Sequence, residues 1–108
     1  MPMIANTPEP PYYAVIFTSV RTAGDHGYSA MSDLMVDLAS AQEGFLGVES
    51  ARNEVGITVS YWRDLPSITK WRNHVDHTYA RQKGRENWYS AFKTRIALVE
   101  RDYGFLKK

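Results

Sequence analysis

The chain predicts an α+β domain of ferredoxin-like type, with a split β-α-β-β-α-β order, a four-stranded antiparallel sheet and helices on one face. Three observations predict it. Strand-type and helix-type hydrophobic periods succeed one another in that order. At 108 residues there is room for one domain. The strands also carry apolar residues on both faces, so both faces need cover.

Residues 1–11 hold four of the five prolines and are expected to form an extended segment ahead of a single domain over residues 12–105. Tyr12–Val20 (YYAVIFTSV) is β-branched and aromatic, and reads as the first strand. RTAGDHG is a loop. From Tyr28 to Gln42 the pattern becomes helical: Met31, Leu34, Met35 and Leu38 share one face, while Ser32, Asp33 and Asp37 face outward. Gly44 stands where a glycine stops a helix. Strands at Phe45–Ala51 and Ile57–Trp62 flank a polar turn, Arg52–Gly56, and read as a hairpin.

Asp64 as cap and Pro66 in the first turn start the next helix, whose apolar stripe is Leu65, Ile68, Trp71 and Val75. A further helix is expected over Tyr79–Tyr89, interrupted near Gly84, followed by a last strand, Phe92–Arg101. That strand alternates, with Thr94, Ile96 and Leu98 on one side and Arg95, Ala97 and Val99 on the other. With helices over one face, nothing further in the chain remains to cover the other. A second copy of the sheet is the natural cover, which predicts a homodimer through sheet-on-sheet packing, with Val15, Phe17, Ala97 and Val99 among the contact residues.

The composition excludes several function classes. The chain has no cysteine, hence no disulfide framework, thiolate nucleophile or cysteine-bound metal. The longest purely apolar stretch, Tyr12–Phe17, is too short to span a bilayer, so no membrane partner is expected. A basic leader followed by an apolar core is also missing, so the expected location is cytoplasmic. Net charge is +1 but uneven: residues 1–62 carry two basic and seven acidic side chains, residues 63–108 eleven basic and five acidic. The basic residues are interleaved with helix-face positions rather than clustered, which argues against nucleic acid as a partner. No glycine-rich phosphate loop appears, so no nucleotide or flavin cofactor is expected. A serine hydrolase constellation is likewise missing.

Three Trp, seven Tyr and four Phe exceed what a small core needs and suit a pocket for a flat ligand. Trp71, Tyr61, Trp62 and Trp88 are the candidate binding residues, with Trp71 readable equally as core beneath its helix. Adjacent strand positions point to opposite faces, so one of Tyr61 and Trp62 faces the helices and the other faces away. His74 and His77 follow Trp71 within WRNHVDH. Imidazole titrates near neutrality, so either histidine can act as a general base. A metal would need a third ligand, and Asp76 points elsewhere at helical spacing, so no metal site is expected.

The segments EGFLGVES, TVSYWRDLPSITKW, WYSAF and VERDYGF together resemble the antibiotic biosynthesis monooxygenase family, from about Tyr12 to Phe105. The resemblance implies a dimeric ferredoxin-like barrel with a pocket in each protomer between sheet and helices. Family members include cofactor-free oxygenases acting on polycyclic aromatic substrates and haem-degrading monooxygenases. The haem-degrading branch pairs its tryptophan with a histidine ten residues later and with an asparagine on the first strand. Here the tenth residue after Trp71 is Arg81, and YYAVIFTSV contains no asparagine. The expected activity is therefore a monooxygenase needing no metal or flavin. Its substrate is a small aromatic or quinonoid molecule, with His74 or His77 as base and Arg81 as the cation facing the developing anion. The competing expectation is a non-catalytic small-ligand-binding dimer.

Overall fold

The computed structural model describes residues 3–82 and 88–107, with the side chains of 79–82 excepted. Its elements run β1 (Tyr12–Arg21), α1 (Tyr28–Ser40), β2 (Phe45–Arg52), β3 (Gly56–Trp62), α2 (Leu65–Gln82) and β4 (Tyr89–Val99). The strands form one antiparallel sheet in the order β2-β3-β1-β4. This is the predicted α+β, ferredoxin-like arrangement.

Local chemistry sets the boundaries. Asp25 starts α1 from outside: Ser29 N and Oγ donate to its Oδ1 at 3.2 and 2.6 Å, and Gly27 N donates to its Oδ2 at 3.1 Å. Gly44 follows α1 with φ of 88°, and a Cβ there would lie 2.1 Å from Ser67 Oγ, so both backbone and space demand glycine. Asp64 caps α2 by accepting from Ser67 N at 2.8 Å. Hydrogen bonds from Ser67, with Arg63 alongside, lower its carboxyl to about 2. A depressed carboxyl stabilises the fold above its ordinary value of 3.8, and that contribution is lost as pH falls through about 2. Asp64→Ala is accordingly expected to lower the melting temperature at pH 7, with the deficit shrinking between pH 3.8 and about 2. Thermal melts across that range check it, and a pH-independent deficit would exclude the cap.

The largest departures from the sequence reading fall in α2 and β4, the other boundaries lying within two residues of it. α2 runs unbroken to Gln82, past Tyr79, because its backbone continues after the apolar stripe ends at Val75. The rest of the expected second helix, with Gly84, lies outside the described residues. β4 begins at Tyr89 rather than Phe92, its extra turn of ladder paired beyond a register shift at Val20/Arg21, and it ends at Val99.

The register assigns the faces. Trp62 lies opposite Tyr13 and Phe45, and with Ile68 and Ala39 it forms the core beneath the helices. Tyr13, Val15 and Phe17 of β1 therefore face the helix side, next to Leu98, Ile96 and Thr94. Ala97 and Val99 pair with Ala14 and Tyr12 and face away. Val15 and Phe17 thus do not share a face with Ala97 and Val99 as expected. YYAVIF is apolar at both parities, which hid the parity.

The expectation that nothing in the chain covers the second face is also corrected at one end. Ala5 lies against Gly47, and its N–H donates to Glu49 Oε2 at 2.9 Å. Tyr61 OH donates to Glu49 Oε1 at 2.5 Å. Thr7 Oγ1 donates to Tyr12 OH at 2.9 Å, and Tyr12 OH donates to Asp102. Burial first, then these carboxylates, hold both phenols protonated above their ordinary range. The N-terminal segment therefore straps the Tyr12–Glu49 end of that face. Ile57 and Val20 at the other end stay exposed.

Candidate functional site

The helix-facing side of the sheet gathers aromatic rings into two groups. At the end where β3 meets α2, Trp62 is fully buried and its indole N–H donates to Ser60 Oγ at 2.8 Å. Trp71 stacks on it with centroids 5.9 Å apart and planes 25° off parallel. The His74 imidazole stacks in turn on Trp71 at 5.7 Å and 23°. The spacing Trp71–His74, three residues along one helix, puts them on neighbouring turns of one face. The stack therefore leads from the core outward to an exposed imidazole.

Beside this stack the sheet is open. Tyr13 and Val15 pack against the core, and their β4 partners Leu98 and Ile96 are 47% and 51% exposed. Among the described residues, α2 lies against β3 and α1 against β2. The apolar strip over β1 and β4 thus lies open alongside the Trp71–His74 edge, a surface against which a flat ring can pack.

The second group lies at the opposite end of β1. Phe17, Tyr89 and Phe92 meet with centroids 5.4 to 5.9 Å apart, and Tyr28 meets Tyr89 edge-on at 5.7 Å. Trp88 belongs here: it is buried, its indole N–H donates to His26 O at 2.8 Å, and its ring lies 6.5 Å from Tyr28. Trp62 pairs at the level of Tyr13 and Tyr89 at the level of Arg21. Eight residues of strand, roughly 26 Å at about 3.3 Å each, separate the two levels.

Of the residues singled out from sequence, the structure thus brings together Trp62, Trp71 and His74. His77 is exposed one turn further along α2. Trp88 sits at the far end, where it ties β4 to the loop before α1. Tyr61 lies on the other face, bonded to Glu49, and lines no space between sheet and helices. Arg81 falls within α2, but its side chain lies outside the described residues. Among the described residues no group of three His, Asp or Glu side chains could hold a metal ion. Among the described residues no helix is long and apolar enough to cross a membrane.

Sequence reasoning passed over Arg21 and Arg52. They are the two basic residues of the first 62, placed 31 positions apart, yet they converge on one ring: Arg21 Cζ lies 3.6 Å and Arg52 Cζ 5.9 Å from the Tyr28 centroid. Their isolation in an acidic half of the chain was the available signal.

No family model matches the chain. It is 50% identical over 103 residues to "Uncharacterized protein YqjZ" of Bacillus subtilis (strain 168), which covers 94% of this chain and 90% of that protein. Among solved structures, PA3566 from Pseudomonas aeruginosa superposes with a TM-score of 0.65 at 17% identity, covering 89% of this chain and 99% of its own. A protein of Chloroflexus aurantiacus J-10-fl described as "putative Antibiotic biosynthesis monooxygenase" gives 0.64 at 19% identity, covering 86% and 97%. NE2512 from Nitrosomonas europaea, of unknown function, gives 0.62 at 14% identity, covering 94% and 99%.

Proposed function

The chain belongs to the same family as YqjZ and has the antibiotic biosynthesis monooxygenase-like fold. On that premise we propose that it is a homodimeric monooxygenase that oxidises a small, electron-rich aromatic or quinonoid molecule without a metal or flavin. The observation that carries this reading is the open apolar strip along Tyr13, Val15, Ile96 and Leu98, edged by a stacked Trp71 and an exposed His74.

A flat substrate lies on this strip against the Trp71 edge. His74 removes a proton from a carbon activated by the flanking rings, leaving a carbanion delocalised over them. That electron-rich anion adds oxygen to form a carbon–oxygen bond and, once protonated, a hydroperoxide, whose O–O bond breaks as the remaining C–H proton leaves, giving a carbonyl and water. A methylene plus one O2 gives one carbonyl plus one H2O, so no outside reductant is consumed. The protein's part is orientation, water exclusion and proton transfer.

Purified protein is expected to consume oxygen with hydroxyanthracene-type compounds, and His74→Ala is expected to lower the rate by about 10²–10⁴-fold. Oxygen-electrode traces over a substrate panel measure both, and no uptake across the panel would end the oxygenase reading. One observation favours a second reading, a non-catalytic ligand-binding dimer. Among the described residues no side chain hydrogen-bonds the His74 ring to orient it. Binding without turnover in the same panel would select that reading.

A further inference from the structure

We propose that Arg52, set against Tyr28 and backed by Arg21, forms an anion subsite that takes the carboxylate of an aromatic ligand whose ring lies against Phe17 and Phe92. The aromatic half of this assignment rests on the proposed function, which takes a flat aromatic ligand on this face of the sheet. The anion half rests on separate geometry.

Arg52 closes β2 on the helix-facing side, where its register partner is Gly56. Its guanidinium lies across that glycine so closely that a Cβ there would stand 2.1 Å from Cζ. From this position Arg52 Nη2 donates to the hydroxyl of Ser19, which is 1% exposed. One of five N–H donors is thereby anchored, and among the described residues no other acceptor engages the rest. No carboxylate among the described residues lies within ion-pair distance of Arg52 or Arg21, since the ion pairs there involve Arg63 and Arg72.

Arg21 is held as a fixed positive background. Its Nε donates to Trp88 O at 2.9 Å, and its Nη2 donates to the carbonyls of Gly24 and Asp25 at 3.1 and 3.3 Å. Asp25 interacts electrostatically with Arg21, but its carboxylate is engaged by Gly27 and Ser29. Among the described residues two guanidinium groups therefore share one tyrosine ring without a contacting anion, an arrangement that a bound carboxylate completes.

The ligand's shape follows from the register. Ser19 pairs with Phe92, and Phe17 precedes it by two residues on the same face. Beyond Phe17 the face continues as Val15 and Tyr13 into the open apolar strip. A molecule with its carboxylate on Arg52 directs its ring along this face, toward the stack at Trp71. The class that fits is a hydroxylated aromatic carboxylic acid rather than a neutral hydrocarbon.

Calorimetric titration with 3-hydroxy-2-naphthoate and with neutral 2-naphthol tests this on the full chain. At low salt the naphthoate is expected to bind at least about tenfold more tightly, since hydrogen bonds to charged groups outweigh neutral ones. Arg52→Gln should collapse that preference to about twofold, and Arg52→Lys should keep part of it. Gly56→Ala keeps the charge but displaces the guanidinium, and should also erase the preference. The ratio between two ligands on one protein is insensitive to a general loss of folding, which circular dichroism monitors separately. Equal affinities in the unmodified protein, a preference that survives Arg52→Gln, or no binding of either compound would overturn the subsite. Arg52-dependent naphthoate binding, with no oxygen uptake from the hydroxyanthracene panel, would leave the subsite standing and remove the oxygenase reading. Uptake indifferent to Arg52 would do the reverse.

Discussion

Trp62→Ala is expected to cost about 3–5 kcal/mol of stability, the largest loss of any single substitution in this chain. The indole is 0% exposed and sits where β3, α1 and α2 meet, with Ala39 from one helix and Ile68 from the other against it. Phe45 meets it edge-on at 5.5 Å, and Trp71 stacks on it. Truncation leaves a cavity that rigid strand neighbours cannot refill, and it strands Ser60 Oγ, the acceptor of the indole N–H. A small domain has only about 5–15 kcal/mol in total. Urea unfolding should show the midpoint falling by about 2 M at slopes typical of such domains. Trp62→Phe keeps most of the volume and should fall between the two. A midpoint that barely moves in Trp62→Ala would mean that the helices do not close over the sheet at this residue.

The same substitution bears on function. Trp71 takes its plane from Trp62, and His74 takes its plane from Trp71. Loss of Trp62 should loosen the proposed base as well as the core.

Much of the fold was legible because two periods alternate. Tyr28–Ser40 repeats its apolar residues every three or four, and Gly44 with positive φ closes it within two residues of the expected end. Asp64 and Pro66 marked the start of α2 correctly. What failed was length. After Val75 the residues DHTYARQ present no apolar stripe, so the periodicity that betrays a helix disappears although the hydrogen-bonded backbone continues. Tyr89 was lost to the strand for the same reason: its pairing with Arg21 depends on a register shift in β1 that no local pattern announces.

The site was legible only where its parts lie close in sequence. Trp71 and His74 sit three residues apart on one helix, so spacing sufficed. Trp62 and Tyr61 are neighbours on a strand, so one had to face away, and a bond to Glu49 holds Tyr61 there. Arg21, Tyr28 and Arg52 come from two strands and a helix. Their meeting is a product of topology, and the glycine that seats Arg52 reveals its reason only beside the guanidinium.

The proposed dimer should sediment at about twice the 12.3 kDa chain mass at micromolar concentration, and Ile57→Asp should split it. The face turned from the helices carries Ile16, Val59 and Ile57 across β1 and β3, and Ile57 is 46% exposed. The N-terminal strap covers only the Tyr12–Glu49 end. Tyr103, Phe105 and Leu106 add further exposed apolar surface beyond β4. Monomeric proteins rarely leave contiguous apolar patches beyond a few hundred Å². A sheet-on-sheet interface of obligate type commonly buries on the order of 2,000 Å² or more. At roughly 25 cal/mol per Å² of apolar area, that exceeds an association cost of about 4–15 kcal/mol. Ile57 is already half in water in the protomer, so aspartate there should leave the protomer folded. In the dimer the same carboxylate would lose its water without a partner, a penalty of several kcal/mol that weakens association at least a hundredfold. Sedimentation of the unmodified chain and of Ile57→Asp, each checked for fold by circular dichroism, decides the matter. A folded, soluble monomer of the unmodified chain at micromolar concentration would overturn the dimer. An Ile57→Asp protein that remains dimeric would move the contact off this face.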